Sequence, residues 1–317
     1  MDQPGTTGAG PPPAAHVNVY DEIAGNRWRT WLLVALFIAL VALLGYVLGE
    51  VWFGGNAGLF VLPFALAIAS ISGLTSYFAG DKIVLGMSQA REVSDQQEPQ
   101  LHHVVEELAI GAGIPKPKIY VIEDSAPNAF ATGRDPKHAS VAVTRGLLTK
   151  LDRTELQGVL AHELSHVRNF DIRLMLIVAV LLGMAALLSD WIFRSMLWGG
   201  RGRDRDRGGG GAAAILLIVA LVLAILTPII AQLIQLAVSR QREYMADASG
   251  ALLTRYPAGL ANALRKIAAD KEALEVANKA TAPLYIANPL HDQPRFLDGL
   301  FDTHPPIQER IKRLEAM

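Results

Sequence analysis

Four long apolar runs constrain this chain more than any other feature. They extend roughly over Trp31–Leu48, Leu59–Phe78, Leu174–Phe193 and Ala212–Val238. Each approaches or exceeds the ~18–20 residues that a helix needs to cross a bilayer. The chain is 317 residues long with only 19% charged residues, where soluble domains carry about a quarter. Core helices of a soluble protein rarely include two uncharged runs as long as the first and fourth. The expectation is a predominantly α-helical membrane protein with four transmembrane helices in two hairpins. The first run is too long for a signal-peptide core and lacks a small-residue cleavage site before a mature domain.

Flanking charge orients the spans. Arg27 and Arg29 precede the first run, the turn 49–56 has no Lys or Arg, and Lys82 and Arg91 follow the second run. The positive-inside rule places the N-terminus and the residues after 80 in the cytoplasm. The loop 199–211 carries Arg201, Arg203, Arg205 and Arg207 against Asp204 and Asp206. Full crossing of the second hairpin puts these arginines on the disfavoured side, with topology set by the strong first hairpin.

The organisation that follows is a Pro/Gly-rich tail over 1–27, expected to be disordered, and a first hairpin over 28–79. The first part of a soluble unit covers 80–173, the second hairpin 174–238, and the remainder of the soluble unit 239–317. Within 80–173, Pro99–Gly113 has the apolar spacing of an amphipathic helix, and its His102 and His103 read as solvated surface. Lys118–Glu123, Ala129–Thr132 and Ser140–Leu147 read as strands. A helix follows from Asp152 or Thr154, each opening a capping box. After Val238 the chain reads as helical except for Ala282–Pro306, and the last helix as Ile307–Leu314.

Cysteine is absent, so disulfides, thiolate metal sites and cysteine nucleophiles are excluded; any metal must be held by His, Asp or Glu. The formal net charge of −1 gives no ground for binding nucleic acid. The segment Ala161-His-Glu-Leu-Ser-His166 places two imidazoles one helical turn apart on one face. His162 and His166 can then share a zinc ion, with Glu163 beside the metal as general base. A catalytic zinc site takes a third protein ligand and keeps one position open. A metzincin would have a third His at position 172, which is Ile172. Glu243, Asp247, Asp171 and His304 are the candidates. Glu243 is preferred, because Glu243 and Asp247 share a helix face as ligand and supporting carboxylate.

These residues resemble the HtpX-type membrane metalloproteases, relatives of the CAAX prenyl protease. The likeness includes the early hairpin, Pro127–Gly133, Ala161–His166 followed by a span, Arg242–Asp247, and Thr303-His-Pro-Pro306. The resemblance implies a cytoplasmic zincin-like α+β catalytic domain, one zinc ion per chain, and Glu243 as its third ligand. It also implies an edge strand at Asn128, Ala129, Phe130 and Ala131 that holds substrate by β-augmentation. His304 would assist catalysis, and the cell inner membrane would be the location. Misfolded or damaged membrane proteins would be the substrates, in a stress-response role, with membrane lipids as the other partner. Rival readings are a scaffold with a closed structural zinc site, a prenyl-protein protease, and a transporter subunit. Against these stand, respectively, the intact Glu163, the small number of spans, and apolar runs without buried charge.

Overall fold

The structure, a computed structural model, describes residues 28, 31–32, 34–43, 45–46, 49–50, 56–181, 183, 240–277, 281–289 and 305–317. The tail 1–27, most of the second hairpin with its loop 199–211, and His304 lie outside the described residues.

The first apolar run contains helix α1 (Val34–Leu43). The second is helix α2 (Ala57–Met87), the one helix among the described residues long and apolar enough to cross a membrane. At 31 residues and about 1.5 Å per residue, α2 outreaches a ~30 Å hydrocarbon layer. It continues nine residues beyond the expected end at Phe78. Small residues let the two helices approach closely. A Cβ on Gly45 would lie 2.4 Å from the Ala65 Cβ, and one on Gly49 would lie 2.9 Å from the Gly58 Cα.

The part of α2 past Phe78 enters an α+β unit. Its sheet has four strands in the order β1-β2-β4-β3, with β1 Arg91–Glu92, β2 Lys118–Ile122, β3 Ala129–Gly133 and β4 Ala139–Thr144. Strands β2 and β4 are parallel, running from Lys118↔Ser140 to Ile122↔Thr144. Strand β3 is an edge, antiparallel to β4 from Ala129↔Val143 to Gly133↔Ala139. The expected third strand ends early, because Arg145–Lys150 is helix α4. The Thr144 hydroxyl accepts the Leu147 N–H and so caps that helix, overriding the β-like run through Leu147.

Alternate residues of each strand serve two cores. Val121, Ala131, Val141 and Val143 face helices α3 (Pro99–Ala112), α5 (Arg153–Arg168), α8 (Pro257–Ala269) and α9 (Ile307–Glu315). Ile122, Phe130 and Ala142 face Val84 and Leu85 of α2, Met175 and Leu176 of α6 (residues 171–181), and Tyr285. The second core therefore fastens the sheet to the helices of the apolar runs. His102 of α3 is buried rather than solvated, and its Nε2 lies 3.0 Å from the Val93 carbonyl.

Candidate metal centre

Helix α5 begins at a reciprocal capping box. Asp152 accepts from the Thr154 and Glu155 backbones, and Glu155 accepts from the Asp152 N–H. This settles the two possible starts in favour of Asp152. Leu156, Val159, Leu160 and Leu164 sink into the core, and the same helix carries His162, Glu163 and His166 inward at 1%, 2% and 4% exposure. Ionisable groups so deep require partners. They come from α7 (Arg240–Thr254), which lies close against α5 because residue 250 lacks a side chain. A Cβ on Gly250 would sit 3.0 Å from the His162 backbone nitrogen. Glu243 and Asp247, one turn apart on α7, then face the imidazoles.

His162 Nε2 and His166 Nε2 are 3.2 Å apart; His162 Nε2 lies 3.6 Å from Glu243 Oε2 and His166 Nε2 lies 3.5 Å from Glu243 Oε1. Tetrahedral ligands at ~2.0–2.1 Å from zinc are separated by about 3.3 Å, and one ligand atom from each of the three residues lies within 4.8 Å of the others, close enough to draw in around one zinc ion. Among the described residues, His162, His166 and Glu243 are the set whose ligand atoms converge in this way. His162 Nδ1 lies 2.9 Å from Asp247 Oδ1 and His166 Nδ1 lies 3.0 Å from Asp171 Oδ2. With each Nδ1 facing a carboxylate, the two Nε2 atoms face each other. A cation that takes the place of the proton between them completes the carboxylate–histidine–metal arrangement. Asp171 and Asp247, weighed above as third ligands, are thus partners of the imidazoles.

Arg310 completes the cluster, although nothing in the sequence analysis singled it out. It is fully buried and grips Asp247 with two bonds, Nε to Oδ2 at 2.9 Å and Nη2 to Oδ1 at 2.7 Å. Its Nη1 donates to the Ile286 carbonyl at 3.1 Å. The signal was available: Ile307, Arg310, Ile311 and Leu314 share one face of α9, and a charge on an apolar face requires a buried partner.

Electrostatics differ sharply across the cluster. Burial, aided by the Arg310 charge, pushes His162 down to about 4. Burial opposes charge on His166 as well, but Asp171 and Glu243 outweigh it and raise His166 to about 9. Burial and the neighbouring Glu243 push Glu163 up to about 8. Asp247 is held at about 2 against its burial, chiefly by Arg310.

Two predictions arise here. Arg310→Ala leaves the Asp247 carboxylate buried without its counter-ion, a loss of about 3–5 kcal/mol. Thermal unfolding should show it, with Arg310→Lys recovering part; an unchanged melting temperature would contradict this role. Zinc binding also needs the His166 lone pair, which in the metal-free protein carries a proton below about pH 9. Zinc affinity should therefore rise about tenfold per pH unit between roughly 6.5 and 8.5, and a flat profile in chelator competition would contradict the site. The sign for the metal-free fold is opposite. A raised histidine pKa contributes stability fully below about 6.5, and that contribution fades as pH rises through about 9.

The expected substrate strand lies beside Glu163. Asn128 O accepts from the Thr144 N–H, so by alternation the groups of Ala129, Ala131 and Gly133 point to the free edge. The Ala131 N–H bonds the Glu163 carboxylate. The Ala129 carbonyl accepts from Ile286 N–H at 3.0 Å, and Asn128 Nδ2 donates to the Ala287 carbonyl at 3.1 Å. The Phe130 ring packs edge-on against Tyr285, with centroids 5.0 Å apart. A strap over 285–287 therefore closes one end of the edge, a feature that the irregular sequence of that region did not reveal.

With this geometry in place, comparison with known proteins is specific. The pattern of peptidase family M48 matches residues 95–317. The chain is 46% identical over 298 residues to the Protease HtpX homolog of Dictyoglomus turgidum, covering 94% of each. It is 44% identical over 300 residues to that of Tropheryma whipplei strain Twist, covering 94% of this chain and 98% of the relative. Among solved structures it is similar to S. mikatae Ste24p, with a TM-score of 0.48 and 21% identity. That alignment covers 91% of this chain and 66% of the solved chain.

Proposed function

The chain belongs to peptidase family M48, and we propose that it is a membrane-embedded zinc endopeptidase acting on polypeptides, membrane proteins among them. The observation that carries this reading is the triangle of His162, His166 and Glu243 with Glu163 against it. The apolar helix α2 supports the membrane setting: Phe60, Phe64, Ile68, Ile71, Leu74 and Phe78 are exposed along it, a stripe suited to lipid. In this reading four helices span the cell inner membrane, and the α+β unit lies on its cytoplasmic side.

His162, His166 and Glu243 would hold the zinc ion, which supplies Lewis acidity, making water acidic near neutral pH and polarising a carbonyl. Glu163 takes the proton of the attacking water and returns it to the leaving amine. Burial raises its affinity for that proton, and a cation beside it favours the carboxylate form that accepts it. Asp247 and Asp171 hold the two imidazoles in the tautomer that faces the metal. Arg310 acts through Asp247 and is a positioning residue.

The substrate enters as an extended segment along β3 beyond the strap, from Ala131 to Gly133, once that buried edge is uncovered and the Ala131 N–H leaves Glu163; backbone pairing there gives affinity without sequence selection. Asn128, Ala129 and Phe130 shape the strap end of that edge. His304 is assigned here an assisting role toward the developing oxyanion. A test is cleavage of an unfolded membrane protein in detergent. The reading expects cleavage to stop with a zinc chelator and return with added zinc; chelator-insensitive cleavage would contradict it.

A further inference from the structure

Rings and guanidinium groups gather where the apolar part of α2 ends. Tyr77 and Phe78 stand there, one turn before Asp81 and Lys82. Trp31, at the start of the first apolar run, stacks on Tyr77 with centroids 5.9 Å apart. Arg134, the first residue after β3, sets its guanidinium 5.4 Å from the Phe78 centroid. Arg173, in the first turn of α6, lies 5.9 Å from the Tyr77 ring and 5.2 Å from that of Phe170. Phe170 holds φ at 60°, a conformation that bulky side chains rarely adopt, and so turns the chain from α5 into α6 with its ring against Arg173. The Arg173 Nε donates to the Arg134 carbonyl at 2.6 Å, which keeps the two arginines side by side.

Three segments thus bring aromatic residues to one level, at the passage from apolar to charged sequence. Trp and Tyr collect at such levels in membranes, beside the headgroups. Each guanidinium has five N–H donors. Arg173 uses Nε on the Arg134 carbonyl, and no carboxylate pairs with it among the described residues. The Nε of Arg134 is 3.6 Å from Asp135, beyond a good hydrogen bond. Two adjacent cations against one carboxylate leave a positive surface with donors to spare. The rings pack against both guanidinium groups, and the planar fork of an arginine suits the two oxygens of a phosphodiester.

We propose that Arg134 and Arg173 form a seat for the phosphate of an anionic phospholipid. The proposal rests on the membrane setting described above. Because Arg134 directly follows β3, and Arg173 holds its carbonyl, the bound lipid steadies the Gly133 end of the substrate edge and sets its depth at the bilayer surface.

The test uses the full chain carrying Glu163→Gln, which prevents self-cleavage, in nanodiscs of phosphatidylcholine with and without phosphatidylglycerol. Lipid retained after release is read by native mass spectrometry. Phosphatidylglycerol should be enriched about twenty-five-fold, roughly fivefold for each arginine near the surface. Adding Arg134→Ala and Arg173→Ala should remove the enrichment. Arg173→Lys, which keeps charge and loses the planar fork, should retain part of it and covers the case in which the double variant does not fold. Millimolar inorganic phosphate should leave retention unchanged. Equal retention of the two lipids, full enrichment in the alanine variant, or displacement by free phosphate would overturn the proposal. Failure of the protease reading is separable: zinc would be missing from the variant, and the chain with Glu163 intact would not cleave, in every lipid while the enrichment persisted.

Discussion

Glu163→Gln is expected to keep its zinc ion and lose cleavage by about 10²–10⁴-fold or more, the scale of a positioned general base. Glutamine matches the shape of the buried side chain and can still accept from the Ala131 N–H, so packing is preserved. It cannot take a proton from water. In the metal-free protein, burial and Glu243 hold Glu163 at about 8; a cation beside it favours the carboxylate form at neutral pH. Removing a buried carboxyl group should leave thermal stability unchanged or slightly raised. Zinc content by mass spectrometry, measured beside the cleavage rate of a membrane substrate, decides the matter. Full activity in this variant would remove Glu163 from the base role.

The second large effect is on metal retention. Glu243→Ala deletes one corner of the triangle and leaves two imidazoles on one helix face. Losing a residue that merely supports a ligand costs about 10–100-fold in affinity, so losing a ligand should cost more than about 100-fold. Asp247→Asn, which weakens the partner of His162 Nδ1, provides the comparison and should fall within the smaller range. Chelator competition on both variants separates the roles. Zinc binding unchanged by Glu243→Ala would move the third ligand to another acidic residue or to His304.

How much of this was legible in the sequence depended on the range of the interactions involved. The His162–His166 pair is a one-turn relation, so spacing alone exposed it. Glu243 is distant in sequence; its spacing to Asp247 makes it the preferred candidate and the family resemblance assigns it, and the structure shows why it fits, since residue 250 lacks the side chain that would hold α7 away. The carboxylates were mixed. Asp247 is expected from its spacing as the supporting carboxylate and faces His162 Nδ1, whereas Asp171 has the chemistry of a ligand and only the fold shows it facing His166 Nδ1.

Helix α2 was under-read because Asp81 and Lys82 end its apolar run, while its backbone continues to Met87 and buries Val84 and Leu85 under the sheet. The strand expected through Leu147 failed at a single hydroxyl, that of Thr144. Arg310 and the strap over 285–287 escaped because their partners lie in distant elements.

The central claim is a zinc ion held by two histidines and a glutamate. X-ray absorption at the zinc edge, on the Glu163→Gln protein purified without added metal, tests it most directly. One zinc per chain is predicted, with two imidazole nitrogens at ~2.0–2.1 Å and oxygen ligands at about 2.0–2.2 Å completing the shell. Protein that carries no zinc, or zinc without two imidazole ligands, would contradict the account.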